Sequence, residues 1–151
     1  LRPEGRWVAK FSLPDDAIVS NGTILMAVQG TLGETEMYCR AEYATGPATM
    51  NAYSEHILRV VANSQVCLPG CLYAFIRSET AFRLLRSISS ASKLQEPHYA
   101  FLPDVPVPIP NAKDQERIHE LVVRAYDSRH KAMALESQAV SIVENAIEEA
   151  S

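Results

Sequence analysis

By residue type, the side chains best able to do chemistry in this 151-residue chain are Cys39, Cys67, Cys71, His56, His98, His119 and His130. A thiolate beside an imidazole would make a nucleophile. Cys67 and Cys71, spaced C-x3-C in VCLPGCLY, would make half of a zinc site. Neither constellation is completed. Zinc needs two more ligands at familiar spacings, and no spacing ties a cysteine to a histidine. The expectation is therefore that Cys67 and Cys71 are buried, reduced thiols. His119 and His130 fall in a long helical segment, as solvated or interfacial side chains. Asp15-Asp16 reads as a turn rather than an acid pair.

The stretch NGTILMAVQGTLGE, from Asn21 to Glu34, poses the nucleotide question. A phosphate loop needs G-x-x-x-x-G-K-[ST]. Here Gly30 and Gly33 are three apart, and Glu34 sits where lysine belongs. A carboxylate repels phosphate, and EMYCRAE after it reads as a strand rather than the helix a dinucleotide fingerprint requires. Neither an Asn-Pro-Pro-Tyr methyltransferase tetrapeptide nor an Asp…Glu-x-Lys nuclease core is present. No catalytic role, metal or cofactor is expected.

The elements around these residues divide at DVPVPIP, Asp104–Pro110. Alternating Pro106, Pro108 and Pro110 leave few backbone donors and forbid a helix, so an extended edge segment is expected there. Residues 1–110 then form a small mixed domain and residues 111–151 a helical arm, an α+β chain. In the first part Thr23–Gln29 reads as a strand apolar on both faces, turning at Gly30–Gly33 into a partner strand at Glu36–Glu42 that carries Arg40. His56–Ala62 is a further strand. Leu72–Leu85 is helical with a break and recap at Ser78, and Arg86–Lys93 is a serine-rich loop.

From Ala112 onward there is no Gly or Pro. Asn111 is an N-cap, with Asp114 three residues on as in a capping box, while acidic Glu148 and Glu149 oppose the dipole and favour fraying. A helix of about 38 residues would be roughly 57 Å long. Ile118, Ala125, Ala132, Ala139 and Ala146 repeat in sevens, and the series offset by three runs Leu121, Ser128, Leu135, Ile142 and Glu149. Small residues in one heptad position allow close helix approach while Leu and Ile fill the other. The helix either lies on its own domain or pairs as a coiled-coil arm, and its length favours the second. A further stripe at Val122, Tyr126, Met133, Val140, Val143 and Ile147 widens the apolar side.

Net charge is -4, which is not the bulk basic signature of nonspecific nucleic-acid binding, although placement matters more than the sum. No run of about 18 apolar residues offers a membrane span. LRPEGRW lacks the order of a signal peptide, so a cytoplasmic protein is expected. The chain starts without Met, as a trimmed or partial chain would. Basic and polar loop residues remain as candidates for DNA contact: Arg6, Lys10, Gln29, Thr31, Arg40, Asn51, Tyr53 and Lys93. Arg suits guanine, Asn and Gln suit adenine, and Thr can hold phosphate.

The order of ILMAVQGTLGE, SEHILRVV, PGCLYAFIRSETAFRLL, VPVPIP and DQERIHELVVRAYDSRHKAMALESQAVSIVENAIE carries a resemblance. The chain resembles the specificity subunit of type I restriction-modification systems, at half length or in part. The likeness covers the carboxyl part of a target recognition domain and the spacer helix after it, from about Trp7. It implies non-catalytic recognition of double-stranded DNA. It also implies a long helix that pairs antiparallel with a second one, as in a homodimer, and docking of the modification (methyltransferase) and restriction subunits. The family's recognition domain is longer at its start, and its Gly-Ser turn is replaced here by ISSASKLQEPHY.

Overall fold

A computed structural model describes residues 7–14, 17–90 and 94–150. Its centre is a three-stranded antiparallel sheet of β1 (Ile24–Ala27), β2 (Ala41–Tyr43) and β3 (Ile57–Val60), in the order β2-β1-β3. Ile24 pairs with Tyr43 on one side and Val60 on the other, and Met26 with Ala41 and Leu58. Successive side chains point to opposite faces, so this register sorts β1 into two sets. Ile24, Met26 and Val28 enter the main core with Tyr38, Ala41, Tyr43 and the helices. Leu25 enters a smaller cluster with Val19 and Ala44, against which Ala48, Tyr53 and Ile57 pack. The central strand is thus buried on both faces, as its unbroken apolar run implies.

The partner strand begins later than its sequence suggests. Residues 36–39 turn instead of extending, and Cys39 adopts a φ of +62°. That conformation is uncommon outside glycine and breaks the strand before Arg40, which precedes β2 instead of lying on it. Cys39 N–H then donates to Ala27 O at 2.8 Å, a tie between β1 and the turn.

Two short helices pack on the main-core face. α1 (Pro69–Ile76) has Pro at its start, where a missing N–H costs nothing. α2 (Glu79–Ser87) is recapped by Ser78, whose side chain accepts from Ala81 N–H, as the SETA pattern indicates. The serine-rich stretch is not wholly loop: Ser89–Ser90 (β4) pairs antiparallel with Glu96–Pro97 (β5). Residues 105–110 run as a connector outside any described strand, so the proline segment does not serve as a sheet edge.

α3 spans Ala112–Glu149, 38 residues. Asn111 Oδ1 accepts from Asp114 N–H at 3.0 Å, and Asn111 Nδ2 donates to the Asp114 carboxylate at 2.7 Å. Among the described residues no helix is long and apolar enough to cross a membrane.

Candidate functional site

The long helix is two things in sequence. Its first half is seated on the domain through Gln115, His119, Val122 and Tyr126, spaced 4, 3 and 4 residues apart and therefore on one face. Gln115 is buried and its amide is satisfied on both sides. Its oxygen accepts Leu68 N–H at 3.0 Å, and Nε2 donates to Val66 O at 3.3 Å and Pro110 O at 3.0 Å. His119 Nδ1 accepts Gly70 N–H at 3.0 Å, so a side chain of α3 caps the open amino end of α1. A Cβ on Gly70 would lie 2.8 Å from His119 Cα, so only glycine permits this approach.

Farther along, the Tyr43, Tyr73 and Tyr126 rings pack with centroids 5.4, 5.5 and 5.7 Å apart. Tyr126 Oη accepts Tyr43 N–H at 3.1 Å and lies 2.7 Å from Tyr73 Oη. Burial, then the Tyr73 hydroxyl, push the Tyr126 phenol well above the usual tyrosine range. Arg129 reaches Glu42 at 2.5 Å, and that carboxylate holds the guanidinium more firmly protonated.

Beyond Met133 every residue of the helix is exposed. Leu135 is 66% exposed, Ile142 63%, Val143 58% and Ile147 61%, an apolar band in water. Of the residues whose heptad spacing suggests pairing, Ile118 is half-buried, while Leu121, Ala125, Ala132, Leu135, Ala139, Ile142 and Ala146 are exposed. At 100° per residue these exposed positions fall on one side of the helix, centred about 140° around the axis from the seated face. A helix lying on its own domain thus describes the first half alone, and the second half leaves the domain behind.

The loop candidates divide. Arg6, Lys93 and the Asp15–Asp16 pair lie outside the described residues, as does the side chain of Lys10. Asn51 Nδ2 donates to Pro47 O at 3.2 Å and Tyr53 Oη to Ala48 O at 2.8 Å; burial raises the Tyr53 phenol. Arg40 donates to Glu34 O at 2.6 Å and lies 4.0 Å from the centre of the Phe82 ring. Arg86 lies at the same distance from that ring, and donates to Leu32 O, Gly33 O and Tyr38 O at 2.6, 3.0 and 3.1 Å. Arg86 thus holds the Gly-Thr-Leu-Gly segment by the carbonyls of Leu32 and Gly33, and Arg40 holds the next residue, Glu34, by its own, a role with no local signal in the sequence.

Gln29 and its neighbour Gly30 do meet a distant partner. Gly30 exchanges backbone hydrogen bonds with Gln95, at 3.2 and 2.8 Å, and Gln29 Nε2 donates to Glu96 Oε1 at 2.6 Å. The turn after β1 and the β4–β5 hairpin thus form one polar rim on which Thr31 is exposed.

Cys39, Cys67 and Cys71 are buried free thiols. Burial pushes Cys39 up to about 11, and burial together with neighbouring Cys67 pushes Cys71 up to about 11. Such thiols are poor nucleophiles at neutral pH. Among the described residues no three His, Cys, Asp or Glu side chains gather as metal ligands would. A groove of about 200 Å³ between α2 and residues 101–106 is smaller than the ~300 Å³ at which small-molecule sites begin. No family model, curated protein or solved structure matches the chain.

Proposed function

We propose that this chain is the sequence-recognition subunit of a type I restriction-modification system. In this reading its globular part binds double-stranded DNA. The outer half of α3 pairs with a second long helix, from another copy of the chain, and the paired core seats the methyltransferase and restriction subunits. The chain itself performs no catalysis, and it works in the cytoplasm. The observation that carries this reading is the apolar band of Leu135, Ala139, Ile142, Val143, Ala146 and Ile147, exposed along a helix whose other half is anchored. An exposed band of this kind marks an interaction site.

Charge favours an antiparallel pair. Residues 112–131 carry five cations and four acids, whereas residues 132–149 carry four glutamates and no cation. Parallel copies would set the acidic halves side by side, and antiparallel copies set each against the cation-bearing half. Leu135→Glu should turn a dimer into a monomer by light scattering while leaving the thermal transition of the seated domain in place. A dimer that survives the substitution excludes the arm as the interface.

A second reading, a protein scaffold without DNA binding, is favoured by one set of contacts: Arg40, Asn51 and Tyr53 all donate to the chain's own carbonyls. Binding to a randomised duplex pool separates the two. Recognition of DNA predicts affinity at low salt that falls steeply as salt rises. No binding at low salt selects the scaffold.

A further inference from the structure

The rim formed by the turn after β1 and the β4–β5 hairpin holds one side-chain amide in a defined orientation. Gln29 leaves the end of a strand buried on both faces, and its backbone neighbour Gly30 is locked to Gln95 by two hydrogen bonds. Gln29 sits in the bend two residues past β1, between Val28, whose N–H donates to His56 O, and the bridged Gly30, so its backbone is tied on both sides, unlike that of a free loop. The amide orientation is fixed as well. Glu96 is a carboxylate that only accepts, so the atom 2.6 Å from it must be the Gln29 nitrogen rather than its oxygen.

This has a consequence for what the amide can read. One Nε2 hydrogen is taken by Glu96. The second hydrogen and Oε1 remain, one donor and one acceptor. Adenine presents the complementary pair in the major groove, the N7 acceptor and the N6 amino donor. Guanine presents two acceptors there and cannot satisfy Oε1. We propose that Gln29 reads an adenine in the target and that Glu96 is the positioning residue that sets its amide. The inference rests on the DNA-recognition reading above.

The test is selection of bound sequences from a randomised duplex pool, with the whole chain, for the wild type and for Gln29→Ala and Glu96→Gln. The wild type should enrich a motif with one adenine favoured about tenfold or more, the discrimination expected of a bidentate contact. Gln29→Ala should flatten that position alone. Glu96→Gln should flatten it too, because an amide in place of the carboxylate can donate as well as accept and no longer fixes the Gln29 amide, while the other positions and the overall affinity persist. A merely structural role for Glu96 would lower affinity without changing one column. Both side chains lie on the rim, so matching thermal transitions are expected and would exclude unfolding as the cause. Motifs identical in all three proteins overturn the assignment. A wild type that enriches no motif overturns the DNA reading itself, and this inference with it.

Discussion

Tyr126→Phe isolates the joint between the long helix and the domain. The substitution keeps the ring, and so keeps the packing against Tyr43 and Tyr73, whose centroids lie 5.5 and 5.7 Å away. It deletes one oxygen that makes two buried contacts, accepting Tyr43 N–H at 3.1 Å and meeting Tyr73 Oη at 2.7 Å. Each hydrogen bond contributes about 1 kcal/mol net, and a buried donor left without a partner costs about 1–3 kcal/mol. Two partners are orphaned, so the loss should be about 2–6 kcal/mol. That is a large share of the ~5–15 kcal/mol that holds a domain of this size. At roughly 2–4 °C per kcal/mol the melting temperature should fall by roughly 10 °C. Urea unfolding of the wild type, Tyr126→Phe, Tyr73→Phe and the double variant forms a cycle, and the two hydroxyls should show a coupling energy above about 0.5 kcal/mol. A loss below about 0.5 kcal/mol for Tyr126→Phe, with no coupling, would refute the claim that these hydroxyls fasten α3 to the sheet.

Other expectations follow from the same packing. Gly70→Ala would set a Cβ 2.7 Å from His119 Nδ1 and 2.8 Å from its Cα, and should cost about 1–3 kcal/mol in urea unfolding. Ser78→Ala removes the cap accepted from Ala81 N–H and should cost about 1 kcal/mol by the same assay. Stability should also fall in alkali. Cys39 and Cys71 are raised from 9.0 to about 11, so the unfolded chain releases these protons first and the native state is disfavoured as pH climbs between those values. The slope is about 1.4 kcal/mol per pH unit for each thiol, and urea midpoints at about pH 8.5 and 10.5 should record the drop; equal midpoints would refute the burial assigned to these thiols.

Features written in local chemistry could be read from the sequence. The Asn111 and Ser78 caps, the breaks set by proline, and the two-faced burial of β1 all depend on neighbouring residue types. Features made by distant partners could not. Nothing in EMYCRAE announces that Cys39 turns left-handed, since neither Gly nor Asn occupies the turn. Arg86 reads as the first residue of a serine-rich loop, yet it lies in the last turn of α2 and reaches Leu32 O across 54 residues. The Arg86–Lys93 stretch lacks strand character, because the β4–β5 pairing and the Gly30–Gln95 bridge are tertiary. The seated face of α3 was legible in part. Its apolar contacts, Val122 and Tyr126, fall in the second apolar stripe, whereas Gln115 and His119 are polar and no count of apolar residues finds them.

A single unbroken helix joins a seat to an overhang, and this makes α3 a lever. The seat from Gln115 to Tyr126 is about 16 Å long at about 1.5 Å per residue, and Ile147 lies about 31 Å beyond Tyr126. A shift of about 1 Å at Tyr126, with the Gln115 end held, therefore moves the tip by about 3 Å. With neither Gly nor Pro along it, the rod offers no place for a bend to absorb that shift. Whatever the arm carries inherits its aim from the tyrosine joint, so substitutions buried under the sheet can change the geometry of an assembly they never touch.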